Sequence, residues 1–333
     1  MPDDIEALVA PHLAALGVLP DKPLQAIPGG KNNRLFEAET GDGRGLIIKQ
    51  YNVHGHDPRD RLGAEWRFVN EVWGMGVHTV AEPLRVDEES KLAFYARLPG
   101  RKLAQEEITV DRVRQAACFI VDINRTAKTP SNLPLAAEAC FSLAQHIETV
   151  RVRVDLLDQI DPTAPLADKA QQFVRDGLRP CWADIERDIE IQADQTDAKP
   201  DCAAFRSPSD FGFHNILADG DKLYFLDFEY AGTDDLAKLV NDFFCCPQIR
   251  VDDSHRDEFV DHIIRNLPVD EGFEGRVQTL HRVYQIKWIC IILNDFLARG
   301  DAQRSFANDT SREQRCSEQL VKAEAALALM GAN

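Results

Sequence analysis

The sequence predicts an α+β chain of two lobes, a β-rich lobe over residues 1–97 and a mainly helical lobe over 98–333. Three observations carry this. The first hundred residues alternate short apolar strands with glycine-rich turns, and Pro99-Gly100 breaks that pattern. Beyond the break, apolar residues recur at helical spacing, interrupted by one compact strand–loop–strand segment near residues 207–232. A length of 333 residues exceeds the usual size of a single core, which fits two packed lobes.

The elements follow in order. The N-terminus reads as a short amphipathic helix. LQAIPGG, KNNRLFEAET and LIIKQYNV then form a meander of three strands, the last two separated by the turn GDGRG. A helix over 61–74 follows, with Trp66, Val69 and Trp73 at helical spacing, and then strands near Ala81–Val86 and Leu92–Leu98. In the second lobe Val113, Ala117 and Ile120 stripe one helix. Residues 135–160 and 165–191 suggest two more, the latter interrupted at Pro180, and 192–202 is a polar loop. SPSDFGFHNILADGDKLYFLDFEYAG supplies the hairpin, and helices run to the end.

Composition narrows the function. Apolar residues make up 44% and charged residues 28%, ordinary for a globular enzyme. No stretch approaches the roughly 18 uncharged apolar residues of a membrane span, and the acidic N-terminus lacks the basic region of a secretory signal. A formal net charge of −17 argues against a nucleic-acid partner, whose phosphates the surface would repel, though local lysines and backbone N–H groups still suit a small nucleotide. The eight cysteines show no C-x-x-C and no zinc spacing, so reduced, mostly buried thiols in a cytoplasmic protein are expected.

The strongest chemical signal is SDFGFHNIL. Asp210 and Asn215 keep the D-x-x-x-x-N offset of a kinase catalytic loop, in which the carboxylate orients an acceptor hydroxyl and the amide oxygen meets Mg²⁺. Asp227 follows at the end of the apolar strand LYFL, where a kinase keeps its metal-binding carboxylate; Glu229 makes the pattern D-x-E. The bland readings are a turn residue, a loop cap and a surface charge, but the combined D-x₄-N-x₁₁-D string bracketed by a hairpin is more specific than any of its parts. His214, inside the loop, has no other His or Cys placed to join it on a metal.

SPSDFGFHNIL…LYFLDFEYAGTDDLAKLVNDFF resembles the catalytic core of the aminoglycoside phosphotransferase and choline kinase superfamily, whose pattern runs H-G-D-x-x-x-x-N-I-L, then I-D-F-E/D, then a Gly-Asp-Pro-like turn into a helix. Pro208 stands where the family usually has His, and Leu236 replaces the Pro of the turn. The resemblance implies a two-lobed, protein-kinase-like fold and phosphoryl transfer from a Mg²⁺-bound nucleotide, ATP or GTP. The acceptor would be a hydroxyl of a small molecule such as a sugar, amino sugar or amino alcohol. Asp210 would be the catalytic carboxylate, and Asn215 and Asp227, assisted by Glu229, would hold the metal. A catalytically silent nucleotide-binding protein of the same fold is the alternative. The absence of an A-P-E element disfavours a protein kinase.

The first lobe supplies matching parts. PGGKNNRLF resembles the family's G-G-x-x-N-x-x-F turn over the phosphates, with Gly29 and Gly30 allowing close backbone approach and Asn33 in the turn. Lys49, ending LIIK, corresponds to the strand lysine that bridges phosphates. Its acidic partner would be Glu65 on the following helix, with Glu71 as competitor. FYARLPGRK resembles the hinge, where backbone of Ala96 to Leu98 would meet the base. Tyr284, Trp288 and Asp295 fall on one face of an expected helix over 280–297 and would line the acceptor site, or else merely pack against a neighbouring helix.

Overall fold

The computed structural model describes residues 5–18, 22–28, 33–39, 45–52, 59–125, 132–193, 203–298 and 311–331. The chain divides into two compact units, residues 1–137 with 208–232, and residues 138–207 with 233–333.

In the first unit the expected meander forms as β1 (Gln25–Ile27), β2 (Asn33–Glu39) and β3 (Gly45–Tyr51), joined by β4 (Pro83–Asp87) and β5 (Leu92–Ala96) into an antiparallel sheet of order β1-β2-β3-β5-β4. Strict alternation sorts the side chains. Phe36, Ala38, Leu46, Ile48, Leu92 and Phe94 point one way and bury against Val9 and Leu13 of α1 (Ile5–Ala15). The opposite face carries Lys49 and Tyr51; Lys49 lies opposite Leu35 on β2 and Ala93 on β5, and Tyr51 lies opposite Asn33. One face therefore makes a core, and the other is left for polar chemistry.

Helix α2 (Arg61–Gly74) follows β3 and keeps the bounds read from its periodicity. Asp60 caps its first turn by accepting from Gly63 N–H (3.0 Å), and Gly76, at φ +85°, ends it in the left-handed region that glycine tolerates. α3 (Val110–Asn124) starts at the Thr109 cap and buries Val113, Ala117 and Ile120. β6 (Arg101–Lys102) pairs with β8 (Ile216–Asp219), which forms a hairpin with β9 (Lys222–Phe225). β6 is a strand that the sequence did not suggest, and its pairing places the hairpin in the first unit. Gly100 makes that approach possible: at φ +94°, a Cβ there would lie 2.4 Å from the Ala218 carbonyl oxygen. The boundary read at residues 97/98 accordingly lies inside this unit.

The second unit is built around α9 (Phe273–Ile292), against which pack α4 (Leu143–Leu156), α7 (Leu236–Cys245) and α10 (Arg312–Met330). α5 (Ala167–Phe173), α6 (Arg179–Ala193) and α8 (Arg256–Asn266) complete the helices, and β7 (Phe205–Ser207) pairs with β10 (Gly232–Asp234). Two sequence readings change here. The helix expected from residue 135 begins only at Leu143, after the Ser142 cap. The interruption expected at Pro180 lies just before it, as a π-helical turn over Val174–Leu178. A proline cannot donate to the carbonyl four residues back and its ring crowds it, and a widened turn absorbs both. Leu236, the departure from the family's proline, occupies the first position of α7, where no intrahelical N–H bond is needed. Asp235 caps the helix by accepting from Ala237 N–H (3.1 Å), and the Leu236 side chain is buried. Among the described residues no helix is long and apolar enough to cross a membrane, and the seven described cysteines are free thiols.

Candidate active site

Every candidate catalytic, metal or phosphate residue that the structure describes belongs to the first unit. Lys49 is the centre. Its ammonium lies 2.7 Å from Glu65 Oε2 and 2.6 Å from Asp227 Oδ1, and it is almost wholly buried. Glu71, the competing partner, does not contact it. Burial alone would push the Lys49 ammonium down, but Asp227, Glu65 and Glu229 overcome that and hold it well above the ordinary lysine value. Lys49 is thus a fixed cation.

Glu65 is held from every side. Tyr51 donates its hydroxyl to Oε2 (2.6 Å), Phe228 donates its backbone N–H to Oε1 (3.3 Å), and the Tyr95 hydroxyl lies 3.3 Å from that of Tyr51. Burial, then the Glu65 charge, raises the Tyr51 phenol well above its ordinary value, so it remains a donor. Tyr51 and Tyr95 escaped the sequence reading. The available signal was the strand period: Tyr51 stands two residues after Lys49 and therefore on the same face.

The segment 227–229 is tied down residue by residue. Asp227 sits at φ +67°, unusual for a non-glycine residue, with its side chain 38% exposed so that one edge stays open. Phe228 packs on Phe68 (ring centroids 4.8 Å apart). Glu229 is buried and accepts a hydrogen bond from the Asn33 side-chain amide.

The loop from Asp210 to Asn215 precedes this segment. Asn215 donates its side-chain N–H to the Asp210 carbonyl (3.0 Å) and approaches the Asp210 carboxylate (3.4 Å), which turns its Oδ1 away from both. Leu226 N–H donates to the Asn215 carbonyl (3.1 Å), fixing the residue before Asp227 to the loop. His214 Nε2 lies 3.4 Å from Asp210 Oδ1, and Lys102 Nζ donates to the His214 carbonyl (3.0 Å). Pro208 does not dismantle the loop: its carbonyl accepts from Asp210 N–H (3.0 Å), closing the turn through Ser209 at φ +67°. Phe211, Phe225 and Phe119 stack beneath it.

Among the described residues no group of three or more His, Cys, Asp or Glu side chains is placed to hold a metal unaided. Mg²⁺ keeps several waters and takes one or two protein oxygens plus substrate phosphates. Three carboxylates around one lysine leave a surplus of negative charge, and Asp227 and Asn215 Oδ1 offer the hard oxygen donors a divalent cation prefers. The residues present fit the ion.

Gly29 and Gly30 lie outside the described residues. Of the expected hinge pair, Ala96 N–H is already donated to the Glu82 carbonyl (2.9 Å), whereas no backbone carbonyl among the described residues takes Leu98 N–H. The expected acceptor face does not form. α9 ends at Ile292 and Asp295 lies beyond it in a 3₁₀ turn, so the 100° spacing fails. Tyr284 is buried with its hydroxyl 2.8 Å from His146 Nδ1, Trp288 donates its indole N–H to Asp242 (3.0 Å), and Asp295 is buried beside Arg315 (3.6 Å). All three are spent on internal polar contacts of the second unit.

The family model described as the phosphotransferase enzyme family matches residues 23–266. The chain belongs to this family. The matched span includes the Lys49, Asp210, Asn215 and Asp227 site, and the solved structures that the chain is similar to share its fold. A spectinomycin phosphotransferase, solved with ADP and spectinomycin, is 14% identical with a TM-score of 0.66, over 98% of this chain and 99% of that one. A choline/ethanolamine kinase family protein from Mesorhizobium loti is 16% identical with a TM-score of 0.55, over 96% and 95%. An amicoumacin kinase, solved with AMP-PNP and Ca²⁺, is 13% identical with a TM-score of 0.54, over 98% and 96%. Among curated proteins no sequence matches at a significant level. The fold of this phosphotransferase-family chain is therefore the aminoglycoside phosphotransferase and choline kinase fold, an antiparallel sheet followed by a mostly helical remainder.

Proposed function

We propose that this phosphotransferase-family protein moves the γ-phosphoryl group of a Mg²⁺-bound nucleoside triphosphate, ATP or GTP, to a hydroxyl of a small molecule such as a sugar, amino sugar or amino alcohol. The observation that carries the reading is the buried Lys49 held between Glu65 and Asp227, a fixed cation flanked by the carboxylate that a metal needs. Complexes of the structural neighbours with ADP and with AMP-PNP and Ca²⁺ point the same way.

Each residue then has a task. Lys49, unable to lose its proton in this environment, would contact the donor phosphates. Glu65, with all its contacts made by Lys49, Tyr51 and Phe228 N–H, keeps that ammonium in place. Leu98 N–H would meet the base, and residues 29–33 the phosphates. Asn215 and Asp227 would hold Mg²⁺, which when bound neutralises charge developing on the phosphates. Asp210 would accept a hydrogen bond from the acceptor hydroxyl and take its proton, with Asn215 setting its orientation. Little covalent chemistry falls to the protein, so positioning and charge compensation supply most of the rate.

A panel of sugars, amino sugars and amino alcohols incubated with Mg²⁺-ATP or Mg²⁺-GTP, read as nucleotide consumed, tests this. One acceptor should stimulate consumption in the wild type, and Asp210→Asn should lower turnover by at least about 10²-fold while keeping nucleotide binding. Nucleotide binding without consumption across the panel would favour a silent binding protein. Turnover near that of the wild type in Asp210→Asn would remove the carboxylate from the mechanism.

A further inference from the structure

Glu229 reads from the sequence as an assisting metal ligand, but its surroundings describe another task. It is buried, at 4% exposure. The Asn33 side-chain amide donates to Oε2, and the Tyr230 hydroxyl bonds the same carboxylate. Asn33 is the first residue of β2, immediately after the segment expected to cover the phosphates. Its register partner is Tyr51, so Asn33 points from the same sheet face as Lys49. The three consecutive residues 227, 228 and 229 thus meet three anchors of the sheet and α2: Lys49 takes Asp227, Glu65 takes the Phe228 N–H, and Asn33 takes Glu229.

Asp227 needs such support. A non-glycine residue in the left-handed region is disfavoured and persists only where neighbours over-determine it. Lys49 alone does not fix the backbone, since a side-chain ion pair leaves φ and ψ free to relax. Anchors on the following two residues do fix it. A carboxylate that turned its Oε2 to a metal would have to release the Asn33 amide. It would also strand the Asn33 Nδ2 donor in a side chain whose Oδ1 is already buried without a hydrogen-bond partner.

We propose that Asn33 and Glu229 are a positioning pair, a latch joining the start of β2 to the metal-binding segment, and that Glu229 does not ligate the metal. This rests on the phosphotransferase reading of the site. The latch holds Asp227 in its left-handed conformation and sets the start of β2 relative to it.

Charge and hydrogen bonding separate the two roles. Glu229→Gln removes the charge but keeps an oxygen to accept from Asn33. Asn33→Asp sets two carboxylates against each other, and the double variant Asn33→Asp/Glu229→Gln restores a hydrogen bond with donor and acceptor exchanged. The measurements are calorimetric titration of a non-hydrolysable ATP analogue at a series of Mg²⁺ concentrations, and the melting temperature of each protein without ligand. For Glu229→Gln the Mg²⁺ concentration giving half-maximal enhancement should stay within about threefold of wild type, because no metal ligand has been lost. Asn33→Asp should weaken analogue binding at least about tenfold, and the double variant should recover to within about threefold of wild type, the signature of a direct pair. A tenfold or larger rise in the Mg²⁺ requirement of Glu229→Gln, with its melting temperature unchanged, would overturn the proposal in favour of metal ligation. Absence of recovery in a folded double variant would also overturn it. If Asn33→Asp does not fold, the Glu229→Gln titration decides alone. Failure of the wild type to bind the analogue would instead sink the nucleotide reading on which the proposal rests.

Discussion

At the scale of single residues, the site depends on one buried lysine and the groups that hold its partners. The spacing of Asp210, Asn215 and Asp227 stands out in the sequence because the backbone offsets of a tight loop survive as sequence spacing. Lys49 was legible as the end of an apolar strand. The hydroxyl of Tyr51 was not, because a tyrosine on a strand ordinarily signals packing and its partner Glu65 lies on another element. Tyr51→Phe tests that contact cleanly, since it keeps the ring beneath the Lys49 ammonium (5.1 Å from its centroid) and removes only the hydroxyl. The variant should lose about 1.5–3 kcal/mol of stability, the range for a hydrogen bond to a charged group. Equilibrium denaturation measures the first effect. Nucleotide KM should rise several-fold in steady-state kinetics, because Glu65 is freer to leave Lys49; an unchanged KM would show that Lys49 and Phe228 N–H hold Glu65 without help. The acceptor residues went wrong at this same scale. Tyr284, Trp288 and Asp295 share a face only if the helix continues, and it stops at Ile292, in a stretch whose composition stays apolar on both sides of the break.

At the scale of elements, strands with clean alternation and helices with clear caps were read well: β2, β3, α2 and α3 kept their places. What escaped was pairing between segments far apart in sequence. β6 is two residues long, too short to show a period, and exists because β8 offers it a partner. Gly100 carries that pairing. Gly100→Ala would force a Cβ against the Ala218 carbonyl and strain a backbone at φ +94°, so a loss of roughly 2 kcal/mol or more is expected in denaturant unfolding. In the second unit, the cap of α7 is also an ion-pair hub. Asp235 receives two bonds from Arg276 (3.0 and 3.2 Å) and lies 3.3 Å from His146 Nε2, all with little solvent access. Asp235→Ala would uncap the helix and take one of two carboxylates from the half-buried Arg276, which keeps Asp270 (2.7 and 2.8 Å), a loss of about 2–4 kcal/mol. Asp235→Asn, which keeps the cap, should lose clearly less; equal losses would assign the effect to the lost carboxylate charge and not to the helix cap.

At the scale of the whole molecule, acidity shapes stability. Burial acts to raise Glu138, but Arg153, Lys287 and Lys238 outweigh it and hold the carboxyl at about 2, against an ordinary 4.5. Asp235 is also lowered, its burial outweighed by His146 and Arg276, and Asp270 is lowered chiefly by Arg276. Asp234 runs the other way, raised by its burial despite Lys238. For the lowered groups the unfolded chain binds more protons, so the stability they contribute is complete above about pH 4.5 and is lost as the pH falls toward 2. Melting temperature should drop through that window. Glu138→Gln should melt lower than wild type at pH 7, and the two curves should converge near pH 2; a constant gap would show that the contribution is not ionic. None of this was visible in the net charge of −17, which counts charges without saying which are paired inside. The fold and the family were visible, because motif spacing and strand period are local. If Asp227, set beside Lys49, holds the metal, nucleotide binding depends on Mg²⁺. Calorimetric titration of a non-hydrolysable ATP analogue, with and without Mg²⁺, into wild type and Asp227→Ala tests it most directly. Mg²⁺ should strengthen binding to the wild type by about tenfold or more and leave binding to a folded Asp227→Ala variant unchanged. Equal Mg²⁺ enhancement in both proteins, or a wild type that binds no nucleotide, would contradict it.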